Sequence, residues 1–431
     1  MVKGSTRRHK NHVVDFKSVS VLKFSALYGA NAAGKSNLVK AIKFSRNIIV
    51  DSLDKSITFD KYCKIDCGNQ EKSSQFEYEI LINGIVYAYG FAIHLLEKKV
   101  EKEWLYSLED EQETELFTRA WNGEHYELKI NYAELNLEKD DEMRLKVYAA
   151  DLSNFPTTLL ITELNKNKKT FEVTGKISIL NAIYDWFEEK LEVIAPNESL
   201  AESGITFMDQ DKALALSHFL EEFGTGITEV CTKKIHEKEL YKELPQMIVK
   251  RILDRFNEYT SDKNEKSKHS KRKHLFIRTP YNIHQIEKLG DKIQIQTLTF
   301  KHADDDGFYT LGEESDGTIR LVDIYDILAS ESEKVFVVDE IDRSLHPNLT
   351  FNFVKKYLNK NTISQLIVTT HEDRLLDLDM LRRDEIWFVE KQDNNESRLY
   401  SLEKYKERFD RDILRAYLDG RYGSVPKFKF F

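Results

Sequence analysis

Residues 29–36 read Gly29-Ala30-Asn31-Ala32-Ala33-Gly34-Lys35-Ser36, a complete G-x-x-x-x-G-K-[ST] run. Each part of it answers a need of a bound nucleoside triphosphate. Gly29 and Gly34 let the chain wrap tightly, so that backbone N–H groups along Asn31, Ala32 and Ala33 and into Asn37 turn inward on a phosphate. Lys35 reaches the β- and γ-phosphates, and the Ser36 hydroxyl sits on Mg²⁺. The flanks are those the motif requires. Phe24-Ser25-Ala26-Leu27-Tyr28 reads as a short buried strand, and Asn37 to Ile49 has the apolar spacing of a helix. The phosphates would therefore lie at a helix N-terminus, where the macrodipole favours negative charge.

Far downstream, Val335-Phe336-Val337-Val338-Asp339-Glu340 is an apolar run ending in two carboxylates. Such a run fits a strand buried on both faces of a parallel sheet, and ligands of such sheets gather at the carboxyl ends of strands. Asp339 is the candidate Mg²⁺ holder. Glu340 is the candidate that polarises the water attacking the γ-phosphate. Lys35 and Asp339 lie 304 positions apart, so a large block is inserted between them. That distance argues against AAA+ ATPases, in which the gap is usually some tens of residues.

Three further pieces resemble the ABC-type ATPase head of SMC and RecF proteins. Glu314-Ser315-Asp316-Gly317-Thr318 is similar to a degenerate ABC signature and precedes an amphipathic helix over Ile319 to Leu328. Asp342-Arg343-Ser344-Leu345-His346-Pro347 is similar to the D-loop. Leu366-Ile367-Val368-Thr369-Thr370-His371 is another buried strand, ending in a histidine where that family keeps its switch histidine. Each piece also has a plainer reading: Ser315 as a helix N-cap, His371 as a hydrogen-bonded structural residue. Their order and spacing are what favour the ABC head. The resemblance implies catalytic roles for Lys35, Glu340 and His371. It also implies that Ser315 and Gly317 of one subunit meet the γ-phosphate held by another.

The run Tyr28 to Leu38, the Ser-Asp-Gly-Thr signature, Asp339-Glu340-Ile341-Asp342 with Ser344-Leu345-His346-Pro347, and the ending Gly420-Arg421-Tyr422-Gly423-Ser424-Val425-Pro426 narrow the resemblance. They are similar to bacterial AAA family ATPases of abortive-infection and anti-phage systems, such as the PARIS and Rlo-type systems. There the ATPase is commonly encoded beside a nuclease, for instance of the Toprim type, or another toxic effector. The resemblance runs through most of the chain and is weak over residues 100–290. One departure is plain: the family usually opens with a strand containing an Asn-Phe-x-Ser-Phe-like run, whereas residues 1–12 here are polar and basic. Either the first strand is shortened or the chain begins late. The family's Q-loop residue is not identifiable.

Composition fits a cytoplasmic enzyme. Hydrophobic residues make up 41% of 431, with 25 Phe and 20 Tyr, enough for packed cores. No stretch nears the 18 or so apolar residues of a membrane span, and no signal peptide opens the chain. Cys63, Cys67 and Cys231 make no disulfide framework, and Cys63-x-x-x-Cys67 lacks a second ligand pair for zinc. The net charge of −9 disfavours sequence-independent coating of DNA. The basic segment 261–274 is a local exception, read as a solvated loop or as a contact for nucleic acid or an acidic partner.

Residues 75–82 and 85–89 alternate around Asn83-Gly84, the pattern of a two-residue hairpin. Further strands are expected over Trp104 to Leu108 and Glu115 to Arg119, and helices over Lys176 to Val193 and Asp211 to Phe223. No heptad run suits an SMC arm. After His371, 60 residues remain: strands over Asp384 to Glu390 and Arg398 to Leu402, then a helix over Phe409 to Leu418. That is too short for a fused Toprim nuclease, so nuclease activity is expected from a partner chain. Glu390 and Asp393 read as a surface turn.

The expected fold is α/β, a P-loop NTPase ABC-type head with an antiparallel β subdomain and an inserted, mostly helical lid or arm. The expected divisions are 1–50 (head with phosphate loop), 51–150 (β-rich), 151–290 (mainly helical) and 291–431 (head with signature, Asp339-Glu340, D-loop and His371). The expected function is an ATP- and Mg²⁺-dependent switch, a homodimer or larger homo-oligomer controlling a separate effector, with a phage-derived trigger and nucleic acid as further candidate partners and no membrane. The alternative is a RecF-like repair ATPase.

Overall fold

A computed structural model describes the chain except residues 110–111, 136, 138, 153–154, 167–177, 197–209, 262–273, 290–291, 304–305, 406–412 and 423–431. The chain forms two compact units. The first comprises Met1–Ala195, Ser332–Glu340 and Asn361–Phe431; the second comprises Pro196–Glu331 and Ile341–Lys360.

The first unit opens with a hairpin of β1 (Val13–Asp15) and β2 (Ser20–Leu22), then β3 (Phe24–Tyr28), whose five residues are all buried. Helix α1 (Lys35–Asp51) follows. The apolar runs make a six-stranded sheet in the order β17-β16-β3-β15-β14-β9. Its members are β9 (Leu191–Ile194), β14 (Val335–Val338), β15 (Gln365–Thr369), β16 (Ile386–Lys391) and β17 (Ser397–Ser401), beside β3. All pairs are parallel except β16–β17. Because β15 lies between β3 and β14, its carboxyl end falls between theirs: Thr369 pairs with Leu27, and Val368 with Val338. This is the α/β P-loop NTPase arrangement, with ligand-facing strand ends on one edge.

The expected β subdomain is a five-stranded antiparallel meander: β4 (Ser73–Ile82), β5 (Ile85–His94), β6 (Lys99–Glu109), β7 (Gln112–Trp121) and β8 (Tyr126–Ile130). Asn83 (φ 51°) and Gly84 (φ 82°) make its first turn, where both central residues need positive φ. After it come α2 (Tyr132–Leu135), α3 (Lys139–Leu152), α4 (Leu160–Asn165) and α5 (Ser178–Asp185). Ile48 and Ile49 of α1 share one core with Phe91, Phe117, Leu160 and Phe187. Full burial of such side chains stabilises by about 1.5–3 kcal/mol each. Inside it, the Glu103 carboxylate accepts from Tyr89 Oη at 3.0 Å and from the backbone N–H of Leu160 at 2.6 Å. Burial pushes this carboxyl above its usual value, against the opposing pull of Arg119.

The polar opening segment is held by the distant end of the chain. Buried Arg382 donates to the Thr6 and Arg8 carbonyls, at 2.8 and 2.6 Å, and His12 Nδ1 lies 3.0 Å from buried Glu385. Of the closing helix expected over 409–418, Ile413–Leu418 forms α11, and residues 409–412 lie outside the described ones. Tyr422 is fully buried and stacks on Phe388 at 4.9 Å, which joins the Gly420–Tyr422 ending to the sheet. Residues 423–426 of that ending also lie outside the described residues.

The second unit holds α6 (Gln210–Glu222), β10 (Ile227–Ile235), α7 (Glu237–Leu240), α8 (Gln246–Ser261), β11 (His274–Arg278), β12 (Ile283–Leu289), β13 (Lys292–His302), α9 (Asp316–Ala329) and α10 (Pro347–Asn359). Strands β10-β13-β12-β11 form an antiparallel sheet, and Val249 and Phe256 of α8 pack with its Ile286 and Ile295. Two expectations are corrected here. The helix expected to run to Val193 ends earlier, and Leu191–Ile194 is β9, the edge strand pairing in parallel with β14, with Leu191 and Ile194 buried. The block 151–290 also contains strands of its own, and the division expected after residue 290 falls within the β12–β13 hairpin, where Leu289 pairs with Lys292. The basic segment 261–274 lies outside the described residues except for its ends, Ser261 in α8 and His274 in β11. Among the described residues no helix is long and apolar enough to cross a membrane.

Candidate functional site

The turn from β3 into α1 is built on backbone contacts that require small residues. A Cβ on Gly29 would come within 2.6 Å of the Val389 carbonyl on β16. Gly34 has φ 112°, and a Cβ there would collide with the Ser397 hydroxyl of β17. Ala32 also lies in the left-handed region, with φ 63°. Leu27, Ala33 and Val389 form a small apolar cluster beneath the loop, and Ser397 Oγ donates to the Ala33 carbonyl at 2.7 Å.

Helix α1 starts at Gly34 with no side-chain cap, leaving its first-turn N–H groups to an anion. Lys35 is 7% exposed and donates to the Gly29 and Ala30 carbonyls, at 2.7 and 3.3 Å. Its ammonium is thus held over the loop that would cradle phosphate. Asn31, Ala32 and Asn37 are exposed around it. A nucleoside triphosphate fits this donor set: one cation, uncapped helical N–H groups and glycines at the positions of closest approach.

The acids arrive from the other strands. Ser36 Oγ donates to Asp339 Oδ1 at 3.2 Å, joining the two expected metal-holding side chains directly. Thr369, at the end of β15, donates to the same oxygen at 2.5 Å and accepts from the Glu340 N–H at 2.8 Å. Asp339 is 1% exposed and Glu340 half-buried. Glu340 has φ 49°, a conformation costing of order 1–3 kcal/mol for such a residue. The Thr369 hydroxyl is one of the bonds that hold it there. Oxygen ligands of this kind suit Mg²⁺. His371 is exposed, two positions beyond Thr369.

Ser315 and Gly317 belong to the second unit. Ser315 is the N-cap of α9: its Oγ accepts from the Thr318 N–H at 3.1 Å and is 2.9 Å from Thr318 Oγ1. The plainer reading of Ser315 therefore holds, and it is compatible with a second role. A Cβ on Gly317 would stand 3.0 Å from the Ser344 carbonyl, and Ser344 has φ 61°. The signature and D-loop runs are thus neighbours at the openings of α9 and α10, where His346 is the N-cap and Pro347 the first helical residue.

Two residues of the first unit had no role in the sequence reading. Thr369 bridges Asp339 and Glu340, and Ser397 pins the phosphate loop. A hydroxyl at the carboxyl end of an apolar strand was a visible signal for Thr369. Nothing local pointed to Ser397, which reaches the loop from a strand 364 positions away.

A family profile described as "AAA domain, putative AbiEii toxin, Type IV TA system" matches residues 24–377. No curated protein matches the chain. Among solved structures, an SMC head bound to the C-terminal winged-helix domain of ScpA is similar at 16% identity, over 91% of this chain and 97% of that one, with a TM-score of 0.35. The SMC head domain from Thermotoga maritima is similar at 13% identity, over 90% and 96%, with a TM-score of 0.28. At that level of likeness the fold rests on the chain's own sheet order.

Proposed function

We propose that this chain, which belongs to the AAA-domain family described as "putative AbiEii toxin, Type IV TA system", is the ATP-hydrolysing switch of a bacterial anti-phage defence system and controls a separate effector. The family supports an ATPase of the AAA/ABC type. The observation that carries hydrolysis is the meeting of Ser36, Asp339, Thr369 and Glu340 from three segments of the chain. Bound ATP with Mg²⁺ supplies the γ-phosphate whose presence or loss is the signal. Lys35 and the first turn of α1 hold the phosphates. Ser36 and Asp339 hold the metal ion, and Glu340 orients water and takes its proton. His371 stands by the γ-phosphate as the switch residue. Ser315 and Gly317 of a second copy close over the nucleotide, so the working unit is a homodimer.

Thr369→Val removes the shared hydroxyl and keeps the shape. Turnover should fall by roughly tenfold to a hundredfold, the worth of a bond to a charged group, with the circular dichroism spectrum unchanged. Wild-type turnover would show that Asp339 and Glu340 do not depend on this bridge.

The dimer makes a separate demand. In a mixture of Lys35→Ala and Ser315→Arg chains, each heterodimer carries both lesions at one interface and neither at the other, so about one working site returns. Inactive mixtures from two inactive parents would mean that sites work within single chains. Effector control is tested by pull-down of the neighbouring gene product with and without ATP. Capture in one nucleotide state supports the switch; no capture in either removes the defence reading and leaves the ATPase.

A further inference from the structure

The run carrying Ser315 is held by the antiparallel sheet of the second unit. Phe300 of β13 exchanges both backbone hydrogen bonds with Tyr309, at 2.9 and 2.8 Å. Beyond Tyr309, the Gly312 N–H donates to the Tyr281 carbonyl, between β11 and β12, at 2.7 Å. A Cβ on Gly312 would stand 2.9 Å from Tyr281 Cα, so only glycine lets the two backbones come this close. Leu311 is buried, and the Glu313 carboxylate accepts from the Thr310 N–H and hydroxyl, at 2.7 and 2.9 Å.

One side-chain contact fixes the residue just before Ser315. His302 ends β13, and its Nε2 lies 2.9 Å from Glu314 Oε1. A carboxylate offers only acceptors, so the Nε2–H donates. The Tyr309 ring meets the imidazole edge-on, with the centroids 5.1 Å apart, and supports it in this orientation. The Glu314 side chain is 5% exposed. A carboxylate so buried is costly without a partner. Losing His302 would drive it towards water and carry the adjoining Ser315 with it. The cap of α9 is made separately, by Ser315 Oγ on the Thr318 N–H at 3.1 Å, so the helix would stay formed while its opening moved.

We propose that His302 is a positioning residue for the signature: through Glu314 it sets Ser315 and Gly317 for the nucleotide held by a second copy. This rests on the homodimer proposed above and extends its site to a residue 13 positions before Ser315. His302 therefore acts in trans. A chain that lacks it keeps its own phosphate-binding residues, since Lys35, Ser36 and Asp339 belong to the first unit and His302 to the second. It fails only the nucleotide of its partner.

The test is steady-state ATP hydrolysis by full-length chains. His302→Ala should lower turnover roughly tenfold to a hundredfold. His302→Gln, which keeps a donor, should stay within about threefold of the wild type. Mixing decides where the lesion acts. His302→Ala chains mixed with Lys35→Ala chains should regain about one working site per heterodimer, and mixed with Ser315→Arg chains should regain none. A chain that had merely lost its fold would rescue neither. Glu314→Ala removes the buried charge together with the bond; it should behave as His302→Ala does, and replaces it where that variant does not fold. Wild-type turnover by His302→Ala overturns the proposal. So does a His302→Gln chain no more active than His302→Ala, or a folded His302→Ala chain that is rescued by Ser315→Arg or not rescued by Lys35→Ala. Failure of Lys35→Ala and Ser315→Arg chains to complement each other overturns the homodimer itself, and this inference falls with it.

Discussion

Glu340→Gln protein should bind ATP and keep it, with turnover lowered by about 10²–10⁴, the usual contribution of a positioned general base. The substitution preserves size and hydrogen-bonding reach and removes the group that accepts the proton. Its backbone should stay where it is, because the Glu340 N–H donates to Thr369 Oγ1 whatever side chain follows. Asp339 and Ser36 are untouched, so metal binding should persist. In single-turnover measurements ATP should remain intact on the protein. In size-exclusion with light scattering, the ATP-bound variant should persist as a larger or more compact species than the wild type retains. Wild-type turnover would assign the base to another residue.

Lys35→Ala has the largest expected effect on binding itself. Lys35 is the sole cationic side chain of the run 29–36 and is 7% exposed, so its charge acts with little screening. Losing such a partner from a desolvated phosphate contact costs about 2–5 kcal/mol, or roughly 30- to 5,000-fold in Kd. The ammonium also bonds the Gly29 and Ala30 carbonyls, and some loosening of the loop is expected with it. Calorimetry with Mg²⁺-ATP reads the affinity, and thermal denaturation without nucleotide reads any loss of fold. An ATP affinity equal to the wild type's would overturn the role given to Lys35.

Much of the site was legible because its signals are local. The glycines and lysine of residues 29–36 sit within eight positions, and an apolar strand ending in Asp339-Glu340 announces itself by composition. The Asn83-Gly84 turn follows from the positive φ that both positions require. Ser315 as an N-cap is a three-residue relation, with its Oγ on the Thr318 N–H. The Leu191–Ile194 stretch misled for the opposite reason. Its four residues follow directly on a helical segment, and only the parallel pairing with β14 makes them a strand.

The sequence by itself determined the phosphate loop, the acidic strand end, the hairpin and the helix openings, since turn chemistry, capping and apolar periodicity act over a few residues. Tertiary structure alone decided that β15 lies between β3 and β14, and so that Thr369 bridges Asp339 and Glu340. It also decided that Ser397 grips Ala33, and that Glu243 gathers Asn282 and His284 from about 40 positions away. Strand order and cross-strand neighbours follow from which faces bury together, a long-range balance of apolar burial against chain entropy that no short run of residues encodes.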